Sequence, residues 1–431
     1  MSTTGSEYRL DGIYKQRQEG FYMQRVKLAA GVISALQAKT VAEVATRFGQ
    51  GTIHLTSRGS MEIHWLKEVD LPQVKRELAK VGLTSRGACG GAVRGITCGT
   101  QGSQGFPLLE ALAQRLHRHF TGNPRFEHLP KKFKIGLEAD ATGGRHLIQD
   151  LGLVLAKVDE GKGYYDVWIA GGLGREPHPG FLLAEQVAEE RIIPLIEAVV
   201  TVYATHAPPP KRLKYLAKEF GQAELRRLIE AEPLYNQLLP AVAGLPESLI
   251  AGAEGCQRLE LPIFSGQLTA DQLGEIAAVA DRCADGMLMV TADQDLALLL
   301  SPGVELGKEL ELLRQRTTLP FSGDSPTLRV CPGSHECRMG LAATRDLAGQ
   351  LQQQIGIQGE RRSWALSGCP NSCTQPQLAE IGIVTAVLHK DEDGQRTPRF
   401  DLYLRDGAGF GTLTAQTLSA EELFSRVGEL G

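Results

Sequence analysis

The stretch Gly31–Leu66 reads GVISALQAKTVAEVATRFGQGTIHLTSRGSMEIHWL, and the stretch Gly266–Ser301 reads GQLTADQLGEIAAVADRCADGMLMVTADQDLALLLS. Laid over each other without a gap, at an offset of 266 − 31 = 235 residues, they share Gly31/Gly266, Ala35/Ala270, Gln37/Gln272, Ala42/Ala277, Val44/Val279, Ala45/Ala280, Arg47/Arg282, Gly51/Gly286 and Thr56/Thr291. Each copy has a candidate N-cap (Ser34, Thr269), apolar positions at helical spacing and a glycine past the helix end. A strand-like run follows, TIHLTSR or MLMVTAD, and then a second short one, MEIHWL or LALLLS. Helix–glycine–strand is a common pattern and can arise by chance, but the gapless identities favour a duplicated α+β unit.

The copies differ in chemistry. Arg58 in the first faces Asp293 in the second, and the preceding segments are FYMQRVKL and RLELPIF. Basic residues gather in the first half and close cysteine pairs in the second, which suggests one ligand pocket between two related halves.

Around the repeat, residues 101–122 read as a helix, LPKKFKIGLEA as a loop entering a strand, and LGLVLAKV and YDVWIAGGLG as strands. Residues 180–206 read as one long helix. HAPPPKRLKYLAKEF reads as a linker, and 206–250 as helices joining the halves.

Composition bounds the function. The chain has 431 residues, enough for two to four domains, with 42% hydrophobic and 22% charged residues and a net charge of −4. That charge gives no reason to expect nucleic acid or a membrane as partner. No apolar run is long enough to span a bilayer, and the opening MSTTGSEYRLDGIYKQRQEG lacks the apolar stretch of a signal peptide, so the expected location is the cytoplasm. There, eight cysteines are expected to be thiols or metal ligands rather than disulfides.

Only four cysteines have ligand-like spacing: Cys331 and Cys337 in CPGSHEC, and Cys369 and Cys373 in CPNSC. Both inserts are turn-rich, so each pair should sit on a tight loop. Four thiolates from two loops can enclose a cubane cluster with one Cys per iron. A structural zinc site and four unrelated buried thiols are the alternatives, although zinc pairs usually enclose two to four residues rather than five. Cys256 and Cys283 lie in apolar surroundings, and Cys89 and Cys98 in one Gly-rich stretch. Among basic residues, Arg25, Arg58, Arg94, Lys132 and Lys134 fall at strand or loop positions. In KKFK the two lysines would share a strand face, and the glycines of RGACGGAVRGIT let backbone approach a bound group near Arg94. Taken singly, each would be read as a solvated surface cation.

SGCPNSCTQPQLAEIGIV, with CPGSHEC before it, resembles the C-x5-C…G-C-x3-C signature of the siroheme-dependent sulfite and nitrite reductases. GIYKQRQEGFYMQRVKLAAGVI, HLTSRGSMEIH, VRGITC and LPKKFK resemble further segments of that family, so the likeness spans nearly the whole chain. The resemblance implies an internally duplicated α+β fold: two ferredoxin-like half-domains plus two larger α/β siroheme- and cluster-binding domains around a pseudo-twofold axis. The expected segments are 1–70 (first half-domain), 71–205 (first reductase-type domain), 206–255 (helical linker), 256–318 (second half-domain) and 319–431 (cluster domain).

It also implies roles. Cys331, Cys337, Cys369 and Cys373 would bind a 4Fe-4S cluster, with Cys373 also the axial bridge to siroheme iron. Arg25, Arg94, Lys132 and Lys134 would line the face where the anion binds. Arg58 would hold siroheme carboxylates, joined by His54, which stands where many relatives have an arginine. Pro376 replaces a commoner polar residue, and Tyr14 and Cys98 match positions that form a Tyr–Cys thioether in some relatives. The implied reaction is six-electron reduction of sulfite to sulfide, with electrons passed from the cluster through Cys373. Nitrite reduction to ammonia is the close alternative. A precorrin-3B synthase-like oxygenase or a non-catalytic metal-binding protein are more distant ones. No G-x-G-x-x-G dinucleotide site lies between a strand and a helix, so a separate donor such as ferredoxin or a flavoprotein is expected.

Overall fold

The computed structural model describes residues 5–101, 103–238, 248–249, 257–317, 319, 327–355, 362–390 and 394–430. Cys256 and part of the 206–255 segment lie outside them. The duplicated unit begins with β1 (Ile13–Lys15), β2 (Phe21–Val26), β3 (Val32–Ser34), α2 (Ala35–Phe48), β4 (Thr52–Thr56) and β5 (Ser60–Lys67), after a short α1 (Gly5–Leu10). Its second copy is β11 (Gln257–Leu261), β12 (Gln267–Thr269), α8 (Ala270–Cys283), β13 (Met287–Val290) and β14 (Leu296–Leu300). Both predicted N-caps form full capping boxes: Ser34 with Gln37, and Thr269 with Gln272.

The two copies are interlocked. The first sheet runs β1-β2-β5-β4-β12 and the other β11-β14-β13-β3, so each copy lends the strand before its helix to the other's sheet. The exchange is reciprocal to the residue. Ala35 N–H donates to Gly286 O at 2.7 Å, and Ala270 N–H donates to Gly51 O at 2.8 Å. Gly31 and Gly266 have φ of +80° and +63°, and a Cβ on them would stand 2.2 Å from Val290 O and 2.7 Å from Leu55 O. Only glycine accepts both the left-handed backbone and that approach. Helices α2 and α8 lie side by side, and Val41, Ala45, Ile276 and Ala280 are buried in a single core with both sheets. A cap contributes about 1 kcal/mol. Each fully buried Val or Ile contributes about 1.5–3 kcal/mol, so this shared core holds the two copies together.

The larger domains repeat a topology as well. The first sheet runs β10-β9-β8-β7-β6, with β6 (Thr97–Cys98), β7 (Ile135–Glu138) and β8 (Leu151–Asp159) parallel, then β9 (Lys162–Ile169) and β10 (Phe181–Ala188) antiparallel. The second runs β15 (Leu328–Val330), β16 (Trp364–Ser367), β17 (Ile381–Lys390), β18 (Arg396–Leu404) and β19 (Thr412–Leu418), again with three parallel strands followed by two antiparallel ones. Helix α3 (Leu71–Lys80) leads into the first sheet. Helix α4 (Phe106–Phe120) follows β6, α5 (Glu189–His206) follows β10, and α6 (Leu213–Phe220) and α7 (Gln222–Glu230) complete the layer. In the second half α9 (Leu306–Thr317) precedes β15, α10 (Thr344–Gln354) follows it, and α11 (Ala420–Leu430) closes the chain. The sheets meet where Ile148 packs with Leu378, on the matching turns before β8 and β17.

Two readings of the sequence are corrected. The long helix expected over 180–206 starts only at Glu189. Phe181, Leu183 and Val187 are buried on the face of β10, whose two irregularities in register blur the strand alternation. The run expected to be a linker enters the core: Leu213, Leu216, Leu225 and Ile229 are buried in the same cluster as Phe106 and Val199. Among the described residues no helix is long and apolar enough to cross a membrane.

The glycine seam is testable. Gly31→Ala is expected to cost about 2 kcal/mol or more, because it adds a clash to a strained φ. Gly20→Ala, with φ +78° and nothing within 4 Å of its Cβ, should cost about 1 kcal/mol. Denaturant midpoints of the two variants, measured together, check this. Equal shifts would deny the close approach any importance.

Candidate active site

The cysteine loops are built on parallel strands. Val330 of β15 pairs with Leu366 of β16, so the chain leaves both strands on the same side, with Cys331 directly after one and Cys369 two residues after the other. Cys331 N–H donates to Leu366 O at 3.3 Å, Gly368 N–H to Cys331 Sγ at 3.1 Å, and Leu341 N–H to Gly368 O at 2.7 Å. All four thiols lie within one another's electrostatic reach. Burial and then the Cys373 charge push the Cys331 thiol far up, push Cys369 up to about 11, and raise Cys337 as well. Thiolates gathered in this way require positive charge between them. Yet no three His, Cys, Asp or Glu among the described residues stand close enough to grip a single ion. A spread with one thiolate per metal suits a multi-iron cluster better than zinc. Cys373 is exposed while Ser372 and Thr374 on either side are buried, so its side chain points into open space.

The loop around Cys373 is bent sharply. Ser372 and Gln375 have φ of +52° and +61°, a conformation that costs a non-glycine residue about 1–2 kcal/mol each. Ser57 Oγ donates to Cys373 O at 2.7 Å, Gln375 Nε2 to Ser57 O at 3.0 Å, and Arg329 Nε to Thr374 O at 2.9 Å.

The predicted cations converge opposite. Arg58 donates to Gln149 Oε1 and Gly95 O, both at 2.9 Å. Arg94 is buried, donates to Ala88 O and to Gly90 O at 2.9 Å, and leaves Nε with no partner. Arg25 is paired with Glu62, whose carboxyl Arg25 holds well below its usual range against the pull of burial. Burial, then Arg94 and Arg25, bring Arg58 down to about 9. Burial and Arg212 bring Lys132 down to about 8, and burial with Lys132 and Arg58 puts Lys134 well below an ordinary lysine. Neither lysine ammonium has a hydrogen bond or ion pair with the described residues, although Phe133 between them is fully buried. The Cys373 charge is felt at Lys132, so the cysteine and cation sides share one pocket.

Among the described residues the positive charge gathered in this pocket is only partly compensated, by Glu62 at Arg25. Asp150, which could neutralise it, is committed to Arg212 at 2.8 Å and to the Lys134 N–H at 2.8 Å. Such a cavity fits a polyanionic group and a small anion. An orphaned buried guanidinium nitrogen and two free ammonium groups are what a carboxylate-bearing tetrapyrrole and its substrate would satisfy.

Not every expected residue contributes charge. His54 is buried on β4, with Nε2 3.2 Å from Gln294 Nε2 and its ring edge-on to His64, and burial drives its pKa to about 3. It is a neutral wall residue with an unpartnered Nδ1. Cys98 is buried in β6 beside Thr100. The thiol that Arg25 touches, at 3.6 Å, is Cys89, and Tyr14 also acts on Arg25. Sequence reasoning missed Lys27, Arg145, Asp150, Arg212, Asp293 and Arg329. Only Asp293 carried a signal, as the repeat partner of Arg58. Lys27 is buried, donates to Val93 O at 3.2 Å and Thr121 Oγ1 at 2.8 Å, and is lowered to about 7 by burial and Arg94.

Comparison with known proteins agrees with this arrangement. The family model described as "Nitrite/Sulfite reductase ferredoxin-like half domain" matches residues 14–81, and "Nitrite and sulphite reductase 4Fe-4S domain" matches residues 98–238. An assimilatory ferredoxin-dependent nitrite reductase of Haloferax mediterranei is 28% identical over 457 residues, covering 94% of this chain and 77% of that protein. A sulfite reductase [ferredoxin] of Mycolicibacterium paratuberculosis is 26% identical over 473 residues, covering 96% and 83%. The solved structure of Mycobacterium tuberculosis NirA superposes with a TM-score of 0.85 at 23% identity, over 99% of this chain and 87% of that one, a likeness of fold. The chain matches the models of the nitrite and sulfite reductase family over residues 14–81 and 98–238, and is similar to reductases of both kinds at 26–28% identity. It is an oxidoreductase whose cofactors are siroheme and a 4Fe-4S cluster.

The folded pKa of Lys132 lies below its unfolded value. Its charge therefore costs stability below about pH 8, and the cost fades as pH rises towards the ordinary lysine value. In protein freed of cofactors, Lys132→Met is expected to raise the unfolding midpoint by about 1–3 °C at pH 7 and to have little effect by about pH 10. A lowered midpoint at pH 7 would mean that the ammonium is satisfied by the protein itself.

Proposed function

We propose that the chain reduces sulfite to sulfide with six electrons drawn from ferredoxin. The observation that carries this reading is the pair of unpartnered, half-buried lysines, Lys132 and Lys134, in a pocket that also feels Cys373. The siroheme and the cluster, when bound, supply the electrons and the iron centre at which the anion is reduced. Cys331, Cys337, Cys369 and Cys373 would hold the cluster, and Cys373 would also serve the siroheme. Arg58 meets siroheme carboxylates, and His54 packs the wall behind it without charge.

Arg25 and Arg94 orient and neutralise the anion, since a fixed guanidinium matches oxyanion geometry. Lys132 and Lys134 hold protons near the oxygens that must leave as water. A lysine at about pKa 8 is mostly protonated at neutral pH yet gives up its proton more readily than one at its ordinary value. Ferredoxin as donor is supported by the names of the nitrite and sulfite reductases to which the chain is similar. Nitrite is the second reading, because the nitrite reductase relative is 28% identical and the sulfite reductase 26%.

Steady-state reduction of both anions by the loaded enzyme tests the choice. The expected result is a higher kcat/KM for sulfite, and a higher value for nitrite reverses the assignment. Lys132→Met should lower kcat by about 10²-fold or more. Activity should fall at alkaline pH as Lys132 loses its proton, above about 8 because bound anions favour its charged form. An unchanged kcat in Lys132→Met would remove it from proton delivery.

A further inference from the structure

We propose that the two copies of the duplicated unit grip the Cys373 loop from opposite sides. Ser57 acts from one copy and Asp293, through Arg329, from the other, and both are positioning residues for the Cys373 thiolate. The inference rests on the reading of Cys373 as the thiolate shared between cluster and siroheme.

Three observations lead there. First, Arg58 and Asp293 occupy the same place on the same turn. Thr56 Oγ1 accepts from Arg58 N–H at 3.3 Å and Ser60 N–H at 3.2 Å, while Thr291 Oγ1 accepts from Asp293 N–H at 3.3 Å and Asp295 N–H at 3.1 Å. Second, the turns have diverged in chemistry but end on adjacent carbonyls. In the first copy Ser57 Oγ reaches Cys373 O at 2.7 Å. In the second, Asp293 Oδ1 accepts from Arg329 Nη1 at 2.7 Å and from Arg145 Nη2 at 2.8 Å, and Arg329 Nε goes on to Thr374 O at 2.9 Å. Arg329 is 3% exposed and its charge is opposed by burial, so the Asp293 carboxylate is what makes it tenable there. Third, the gripped backbone is strained, and bonds of its own (Ser372 N–H to Cys369 O at 3.2 Å, Gln375 N–H to Ser372 O at 3.1 Å) hold it only in part. Ser372 and Gln375 are both left-handed, Thr374 is pinned by Ser367 Oγ at 2.7 Å, and Gln375 reaches back to Ser57 O.

The copy that lost its arginine at this turn thus acquired another task. Arg58 keeps its guanidinium in the anion-binding pocket. Asp293 ties two arginines of the larger domains together and fixes the segment that carries Cys373.

The test uses Ser57→Ala and Asp293→Asn in the loaded full-length protein, with Asp293→Glu as the conservative variant. Hydrogen exchange of the amides from Ser372 to Gln375 reads the grip directly, and the siroheme absorption spectrum reads the thiolate. Each disrupting variant is expected to exchange about tenfold faster or more at these amides, as loss of one charged or buried hydrogen bond implies. Amides of β18 should keep their protection, and Asp293→Glu should restore most of the effect. Unchanged exchange at 372–375 in both disrupting variants overturns the proposal. If Asp293→Asn does not fold, Ser57→Ala decides alone, since it removes one hydroxyl and no charge. Faster exchange with an unaltered spectrum would show that the grip does not position the thiolate and would also overturn the proposal, whereas an unaltered spectrum in a loaded Cys373→Ser variant would defeat the reading of Cys373 on which it rests.

Discussion

The reciprocal strand exchange between the two repeats is the constraint on which the rest of the molecule depends. A ferredoxin-like half alone would leave a sheet edge unpaired and one helix face bare. Here β12 completes the sheet of the first copy and β3 that of the second. Val290 N–H donates to Gly31 O at 2.8 Å, so the backbones touch where a side chain would keep them apart. That contact brings the ends of β4 and β13 together at the axis. The turns after those strands, with Arg58 and Asp293, then face the larger domains from the middle of the molecule.

The larger domains use one topology in opposite senses. In the first, the functional cations precede the parallel strands: Arg94 comes before β6, and Lys132 and Lys134 before β7. In the second, the cysteines follow the corresponding strands, Cys331 after β15 and Cys369 after β16. Burial first and the Cys373 charge second raise Cys331, Cys337 and Cys369, and burial with neighbouring cations lowers Lys134 on its own side. Each half is electrostatically poor without an occupant, and the occupants required have opposite signs. Iron satisfies the thiolates, and carboxylates with an oxyanion satisfy the cations. The pocket is thus set up for a stacked pair of groups rather than for one.

What could be read from the sequence follows a physical division. The repeat was legible because capping boxes, left-handed glycines and helical spacing are local signals. Ser34, Thr269, Gly51 and Gly286 behave as their residue types predict. The strand exchange was not legible, since nothing local separates a strand that pairs at home from one that pairs across. Residues 181–188 were misread because an irregular register breaks the alternation that marks a strand. Arg212 was hidden in a proline-rich run that suggested a linker, yet it forms the buried pair with Asp150 that keeps this carboxylate from neutralising Lys134. His54 was assigned by position in a motif, and only burial reveals that its ring carries no charge. Cys89 and Cys98 were likewise not separable by sequence. Both lie in one Gly-rich stretch, and the chain's path decides which of them meets Arg25.

The asymmetry between the copies also bears on why a duplicated scaffold suits this chemistry. Two identical turns at a pseudo-twofold axis would present two arginines to one pocket and leave no carboxylate to hold Arg329 against Thr374 O. Replacing one of them with Asp293 changes the sign at a single position. The carboxylate then gathers Arg145 from the first large domain and Arg329 from the second. It joins the two large domains, while the Arg58 guanidinium on the sister turn is bonded, among the described residues, to Gln149 and Gly95. Duplication supplied two turns in matching places, and one change of charge divided their work between binding a ligand and holding the thiolate that would share it.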